Sequence, residues 1–362
     1  MGVPAPGLKG GPPTHLPYLV EYFRKNNDFD IHTFYYGSKS AQNHENFFVK
    51  VFNTSKVLLH FIRLITVFKP DIIHLNSSFD KKSIFRDLPF SVICKLFNTP
   101  VLFKVHGSHY DLLLTKSPAY RVLIRIYFWG SSRVGVLSEF EKNEFIVQFG
   151  NSSKLIVVKN IVPGINCKSL ERISYTNTIK KYDVLFVSRI EEGKGLEDLL
   201  LSMPHILKSL PDLFLGIAGS GNSMKKCMDL ADELKIQENI EWLGYLKNED
   251  LNKVFNQSKI FVFTSHFPEG MPMSMIEALR NGLPVITSRT RFALSYLKEE
   301  ENVIFIEKNN PDELSEKVIN LLIAGGKQEK MRKNNFNFLC QFTQDKVGEE
   351  FADIYMQMKN RS

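Results

Sequence analysis

Cysteine and tryptophan are scarce in this chain, with four of the first and two of the second among 362 residues. Cys94, Cys167, Cys227 and Cys340 are scattered, and no C-x-x-C pair occurs. Such spacing argues against a metal site and against a disulfide framework. It also makes a reducing cytoplasm the natural compartment. Long apolar runs are missing too: the longest are strand-sized, so no transmembrane helix is expected. Met1-Gly2-Val3-Pro4-Ala5-Pro6 lacks the basic region and apolar core of a signal peptide, so none is expected.

What is present is a globular composition, 43% hydrophobic and 23% charged, on a chain long enough for two domains. Charge is unevenly placed. Residues 1–165 hold 20 Lys and Arg against 11 Asp and Glu, while the remainder holds 26 against 28. The basic surplus therefore belongs to the first half. It fits an anionic membrane surface or a phosphorylated lipid, or a merely solvated face. No nucleic-acid recognition motif accompanies it.

Strand and helix signals alternate throughout, which implies an α/β fold of parallel sheets with helices on both faces. In the first half Ile31–Tyr36, Asp71–Leu75, Val101–Val105, Val134–Leu137 and Leu155–Val158 read as strands. Helices are expected near His15–Lys25 and Glu45–Phe68. Polar, aperiodic Cys167–Lys180 reads as a linker. Strands resume at Tyr182–Ser188, Leu213–Ala218, Ile240–Leu243, Ile260–Thr264, Pro284–Thr287 and Val303–Ile306. An amphipathic helix over Lys346–Met358 closes the chain.

The most specific segment is Pro268-Glu269-Gly270-Met271-Pro272-Met273-Ser274-Met275-Ile276-Glu277-Ala278-Leu279, running on to Asn281-Gly282-Leu283-Pro284-Val285-Ile286. A buried strand precedes it. A helix starts near Pro272 and stops at Asn281-Gly282. Glu269 therefore lies in the loop at a helix N-terminus, and Glu277 lies within the helix, facing that loop. Backbone N–H groups at such a terminus favour anions, and the carboxylates beside them accept hydrogen bonds from hydroxyls. A nucleotide sugar presents both kinds of group.

This segment resembles the E-x7-E motif of the retaining two-domain glycosyltransferases of GT-B fold, specifically their family 4 grouping. The resemblance implies that Glu269 contacts the donor sugar and Glu277 holds the ribose, with backbone at Gly270, Met271 and Met273 facing the diphosphate. Three further segments match. In Val187-Ser188-Arg189-Ile190-Glu191-Glu192-Gly193-Lys194-Gly195 a strand gives way to a Gly-Lys-Gly turn. The resemblance assigns Arg189 and Lys194 to the diphosphate, Arg189 as a two-donor fork and Lys194 as a point charge. After Gly219-Ser220-Gly221, the stretch following Gly244 flanks the base, with Leu246 as its neighbour and Trp242 a core residue. In Phe103-Lys104-Val105-His106-Gly107-Ser108, His106 ends a strand, where open α/β sheets place ligands. The resemblance sets it beside the donor sugar. His74 and Asn160 are weaker candidates.

The fold so implied has two Rossmann-like doubly wound domains facing across a cleft. They cover residues 1–165 for the acceptor and 181–343 for the donor, with a linker at 166–180 and a helix over 344–362 returning to the first domain. The glycine loop expected near the start matches Gly10 and Gly11, both assigned to the donor phosphates. The strand that should precede that loop is apparently missing, with Met1-Gly2-Val3 supplying only its last residues, which points to a true start upstream of Met1. The activity implied is retaining hexosyl transfer from a UDP- or GDP-sugar to a glycan or lipid-linked acceptor in surface polysaccharide or glycoconjugate synthesis. No cofactor is implied and a metal need not be required; the location implied is cytoplasmic, either free or peripheral on the inner face of the membrane. The alternatives are a nucleotide-sugar epimerase on the same architecture and a non-catalytic module.

Overall fold

In a computed structural model of the chain, the described residues are 1–3, 11–35, 47–150, 152–165, 167 and 180–360. Two compact units divide it: Met1–Pro163 with Phe342–Ser362, and Gly164–Gln341.

The first unit holds a parallel sheet in the order β3 (Ile73–Ser77), β4 (Val101–Val105), β5 (Arg133–Val136), β6 (Leu155–Val157). Of the first strand only a two-residue β1 (Gly2–Val3) is present, within the Met1–Val3 remnant expected, paired in parallel with β2 (Phe34–Tyr35). So short a run gives no periodic signal. It is held by β2 and by Asn76 of β3, whose amide Nδ2 donates to the Gly2 carbonyl at 2.7 Å. Gly10 lies outside the described residues, and Gly11 opens helix Gly11–Lys25.

Side chains of a strand alternate between faces. From β4, Val101, Phe103 and Val105 join Phe61, Ile84, Phe90 and Tyr127 in one core, under helices Phe47–Phe68, Lys81–Leu96 and Pro118–Gly130. Leu102 faces the other way, into a core with Leu16, Leu19, Phe23, Phe351 and Tyr355. Here the final helix, Gln344–Lys359, crosses helix Gly11–Lys25 closely. A Cβ added at Gly348 would lie 2.5 Å from the Tyr22 ring. His74 is buried in this layer, sharing a 2.6 Å hydrogen bond with Tyr355 and stacking on Phe351. It is a core histidine.

The second unit is a six-stranded parallel sheet with strands β7 (Tyr182–Val187), β8 (Leu215–Ala218), β9 (Ile240–Gly244), β10 (Ser258–Phe263), β11 (Val285–Ser288) and β12 (Val303–Ile306). Their spatial order is β12-β11-β10-β7-β8-β9. Buried on both faces, these strands read as near-continuous apolar runs. Val184, Phe186, Ile217, Ile260 and Val262 pack with Leu199, Met203 and Ile206 of helix Leu196–Ser209. The order reverses between β7 and β10, which makes the carboxyl ends of that pair the topological switch point where such sheets bind ligands.

One expectation fails here. Cys167 and Cys340 form a disulfide. The absence of C-x-x-C pairs argued against such a link, but 173 residues separate the partners. Folding brings their Cα atoms to 5.7 Å, a distance local spacing does not encode. Cys94 and Cys227 are free and buried.

Candidate active site

Two loops meet at the switch point. Ser188–Gly195 follows β7, and Thr264–Pro272 follows β10. They are tied by hydrogen bonds to backbone carbonyls: His266 N donates to Gly193 O at 2.8 Å, and the Thr264 side-chain Oγ1 donates to Gly195 O at 2.7 Å. Gly195 has φ +78°, and a Cβ there would sit 2.0 Å from Thr264 O. Only glycine lets the loops approach this closely.

That approach brings Lys194 and Glu269 together. Nζ lies 2.6 Å from Oε1, with the side chains 11% and 20% exposed. Ser265 Oγ donates to the same carboxylate oxygen at 2.9 Å, and the ammonium sits 5.0 Å from the centre of the Phe267 ring. Helix Met273–Arg280 begins three residues beyond Gly270, with Pro272 as its N-cap and no side chain capping its first N–H groups. Gly270, Met271 and Met273 are half-buried along this entry. The helix stops at Asn281, as the Asn-Gly pair predicts. Glu277 lies within it, half-buried, 3.7 Å from Arg280. Burial raises the Glu277 carboxyl above its ordinary range, and the Arg280 cation opposes that rise.

Other expected residues stand apart from this pair. Arg189 is in the same β7 loop but points outward, 69% exposed, and pairs with Glu191 at 2.8 Å. Leu246 is half-buried two residues past the end of edge strand β9. Trp242 packs against the sheet core, as expected. Gly219 and Gly221 make room for protein. Added Cβ atoms would lie 1.8 Å from Ser188 O and 2.2 Å from Ile190 O, so these glycines seat the β7 loop.

His106, at the end of β4 in the first unit, belongs to a chain of side chains. Its Nε2 is 2.6 Å from Asn76 Oδ1, and its Nδ1 is 3.3 Å from Nε2 of His15. Because the Asn76 amide nitrogen donates to Gly2, its oxygen must accept. His106 then carries its proton on Nε2 and accepts from His15 on Nδ1. Burial, then the neighbouring His15 and Lys104, hold His106 well below the usual histidine range. Asn160 is buried, with its side-chain oxygen unpartnered.

The family model described as glycosyl transferases group 1 matches residues 170–338, all within the second unit. An uncharacterized glycosyltransferase of Methanocaldococcus jannaschii is 25% identical over 387 residues, covering 98% of this chain and 97% of that protein. Both matches are to glycosyltransferases. Solved structures agree on the fold. The lipopolysaccharide outer core galactosyltransferase WaaB superposes with a TM-score of 0.72 at 17% identity, over 98% of each chain. Anabaena HepE in complex with UDP-glucose superposes with a TM-score of 0.63 at 18% identity, over 84% of this chain and 82% of that one.

Sequence reading missed three features. Ser265 holds Glu269, and its signal was only a serine four residues upstream. His266 Nε2 lies 2.7 Å from Asp198 Oδ2 of helix Leu196–Ser209, a contact between distant segments. Asp28-Phe29-Asp30 has the D-x-D spacing of metal-nucleotide sites. It lies between helix Gly11–Lys25 and β2, with Asp30 3.4 Å from His32. Among the described residues, no group of three or more His, Cys, Asp or Glu is placed to hold a metal.

Proposed function

We propose that the chain transfers a hexose from a nucleotide sugar, with retention at the anomeric carbon, to a glycan or lipid-linked acceptor in surface polysaccharide or glycoconjugate synthesis. The observation that carries this reading is the Lys194–Glu269 pair at the switch point, beside a helix entry with uncapped N–H groups. Pre-placed positive charge there suits a diphosphate that gains charge as it leaves. In this reading Lys194, the N–H groups at Gly270, Met271 and Met273, and Arg189 after swinging from Glu191 neutralise the diphosphate. Glu277 accepts from the ribose, Leu246 borders the base, and Glu269 accepts from a sugar hydroxyl.

The E-x7-E spacing supports the family 4 assignment, and HepE's complex with UDP-glucose supports a nucleotide-sugar donor. Glu269 is engaged by Lys194 and Ser265, so the reading assigns it no covalent step. The departing phosphate takes the acceptor's proton on the face it leaves. The test is product analysis by NMR over a panel of UDP- and GDP-sugars with and without acceptor. A glycoside with the donor's anomeric configuration, formed only with acceptor, is expected. Inverted product, or a free sugar isomer made without acceptor, contradicts the proposal.

A further inference from the structure

Helices Phe47–Phe68, Lys81–Leu96 and Pro118–Gly130 lie over one face of the first unit's sheet and share its core. The Phe61 and Phe90 ring centres are 4.8 Å apart, and those of Phe85 and Tyr120 are 5.9 Å apart. Their outer side has an unusual composition. Among the residues of these three helices there is one carboxylate, Asp87. It is fully buried and bound by Arg86 at 2.6 Å. The outward side chains include Lys56, Arg63, Lys82, Lys95, Arg121 and Arg125, all exposed. At its margin, Lys81 lies 3.7 Å from Asp111, and Asp80 caps helix Lys81–Leu96 through the Lys82 and Ser83 N–H groups.

Large apolar side chains stand between these cations. Leu59 is 67% exposed, Phe85 57% and Trp129 52%. The Lys95 ammonium lies 5.9 Å from the Trp129 ring centre. A solvated basic face has no use for a projecting phenylalanine and tryptophan. A surface that is anionic outside and apolar beneath uses both: cations meet headgroups, while aromatic rings enter the interface. Each Lys or Arg near such a surface adds attraction that fades within a Debye length.

We propose that this three-helix face docks on an anionic phospholipid surface. The proposal deepens the reading above by naming the face that meets the bilayer of a lipid-linked acceptor. Its test needs no nucleotide, so the two can fail separately. The full chain is sedimented with vesicles of phosphatidylcholine alone, or of phosphatidylcholine mixed with phosphatidylglycerol, at low and high salt. Binding is expected only to the mixed vesicles, with release by salt. Charge reversal in Lys82→Glu with Arg125→Glu weakens it by about thirtyfold or more. Trp129→Ala weakens it while leaving its salt dependence in place. Melting curves and UDP titration of each variant matching the parent's would confirm that the fold and donor site are untouched. Where one variant is destabilised, Lys56→Glu with Arg63→Glu, on another helix, gives the same readout. Equal binding to neutral vesicles, indifference to charge reversal, or tighter binding to single-stranded RNA than to anionic vesicles would each overturn the proposal.

Discussion

Replacing Lys194 by methionine removes the ammonium and keeps an apolar stem over Phe267. In the ligand-free protein that strands Glu269 at 20% exposure, with the Ser265 hydroxyl still donating to its carboxylate. Breaking a fully buried pair from one side costs about 3–5 kcal/mol. Partial solvent access and the retained hydroxyl bring the expected loss down to about 1–3 kcal/mol. Removing both charges, in Lys194→Met with Glu269→Gln, relieves the stranded carboxylate. Urea unfolding of the four proteins of this cycle should therefore give a coupling of about 1–2 kcal/mol, favouring the native pair. Donor binding should respond differently. If Lys194 also faces the diphosphate, UDP affinity falls by about 10- to 150-fold in Lys194→Met, and adding Glu269→Gln does not restore it. Equilibrium unfolding and titration calorimetry measure the two effects on the same samples. Stability coupling with unchanged UDP affinity would make the pair a purely structural brace and refute the assignment.

Glu277 predicts a pH dependence. Burial raises its folded pKa, so the carboxyl ionises at lower pH in the unfolded chain, and its contribution to stability is lost as pH rises from about 4.5 through the folded value. Nucleotide affinity moves the other way, full above the raised pKa and falling as pH drops through it. Arg280→Ala, by removing the opposing cation, should move that acid limb to higher pH in a calorimetric titration series. An unmoved limb rules out Glu277 as its source. Gly195→Ala should lower the melting temperature and abolish UDP binding, because the new Cβ meets Thr264 O at 2.0 Å; a variant binding normally contradicts the loop geometry. Cys167→Ser with Cys340→Ser should cost about 2–4 kcal/mol in unfolding free energy. In the parent, thiol reagents should find Cys94 and Cys227 inert until denaturation, because burial pushes these thiols up to about 12 and about 11.

Much of the second unit was legible because its strands are apolar runs punctuated by glycine and proline. Ile240, Val303 and their neighbours pair where the runs predicted, within a residue or two at the ends. The Glu269 loop and the stop at Asn281-Gly282 were equally readable, since helix ends are set by local chemistry. The failures are non-local. The Cys167–Cys340 link and the His266–Asp198 contact join segments far apart in sequence, and neither partner carries a signal on its own. β1 was legible only as a remnant at Met1–Val3, because two residues make no pattern, and its support comes from Asn76, more than seventy positions away. Arg189 illustrates a subtler gap. Its place after β7 was predictable, whereas its turn toward Glu191 depends on a side-chain rotamer that spacing leaves open.

The central claim is that a nucleotide sugar binds at the carboxyl ends of β7 and β10. Hydrogen–deuterium exchange of the whole chain with and without UDP reports this directly, because ligand contacts suppress local opening. Slowed exchange is predicted in peptides spanning Ser188–Gly195 and Thr264–Glu277, and it should vanish in Lys194→Met at the same UDP concentration. Protection confined to other segments, with these two loops unchanged under saturating UDP, would contradict the account.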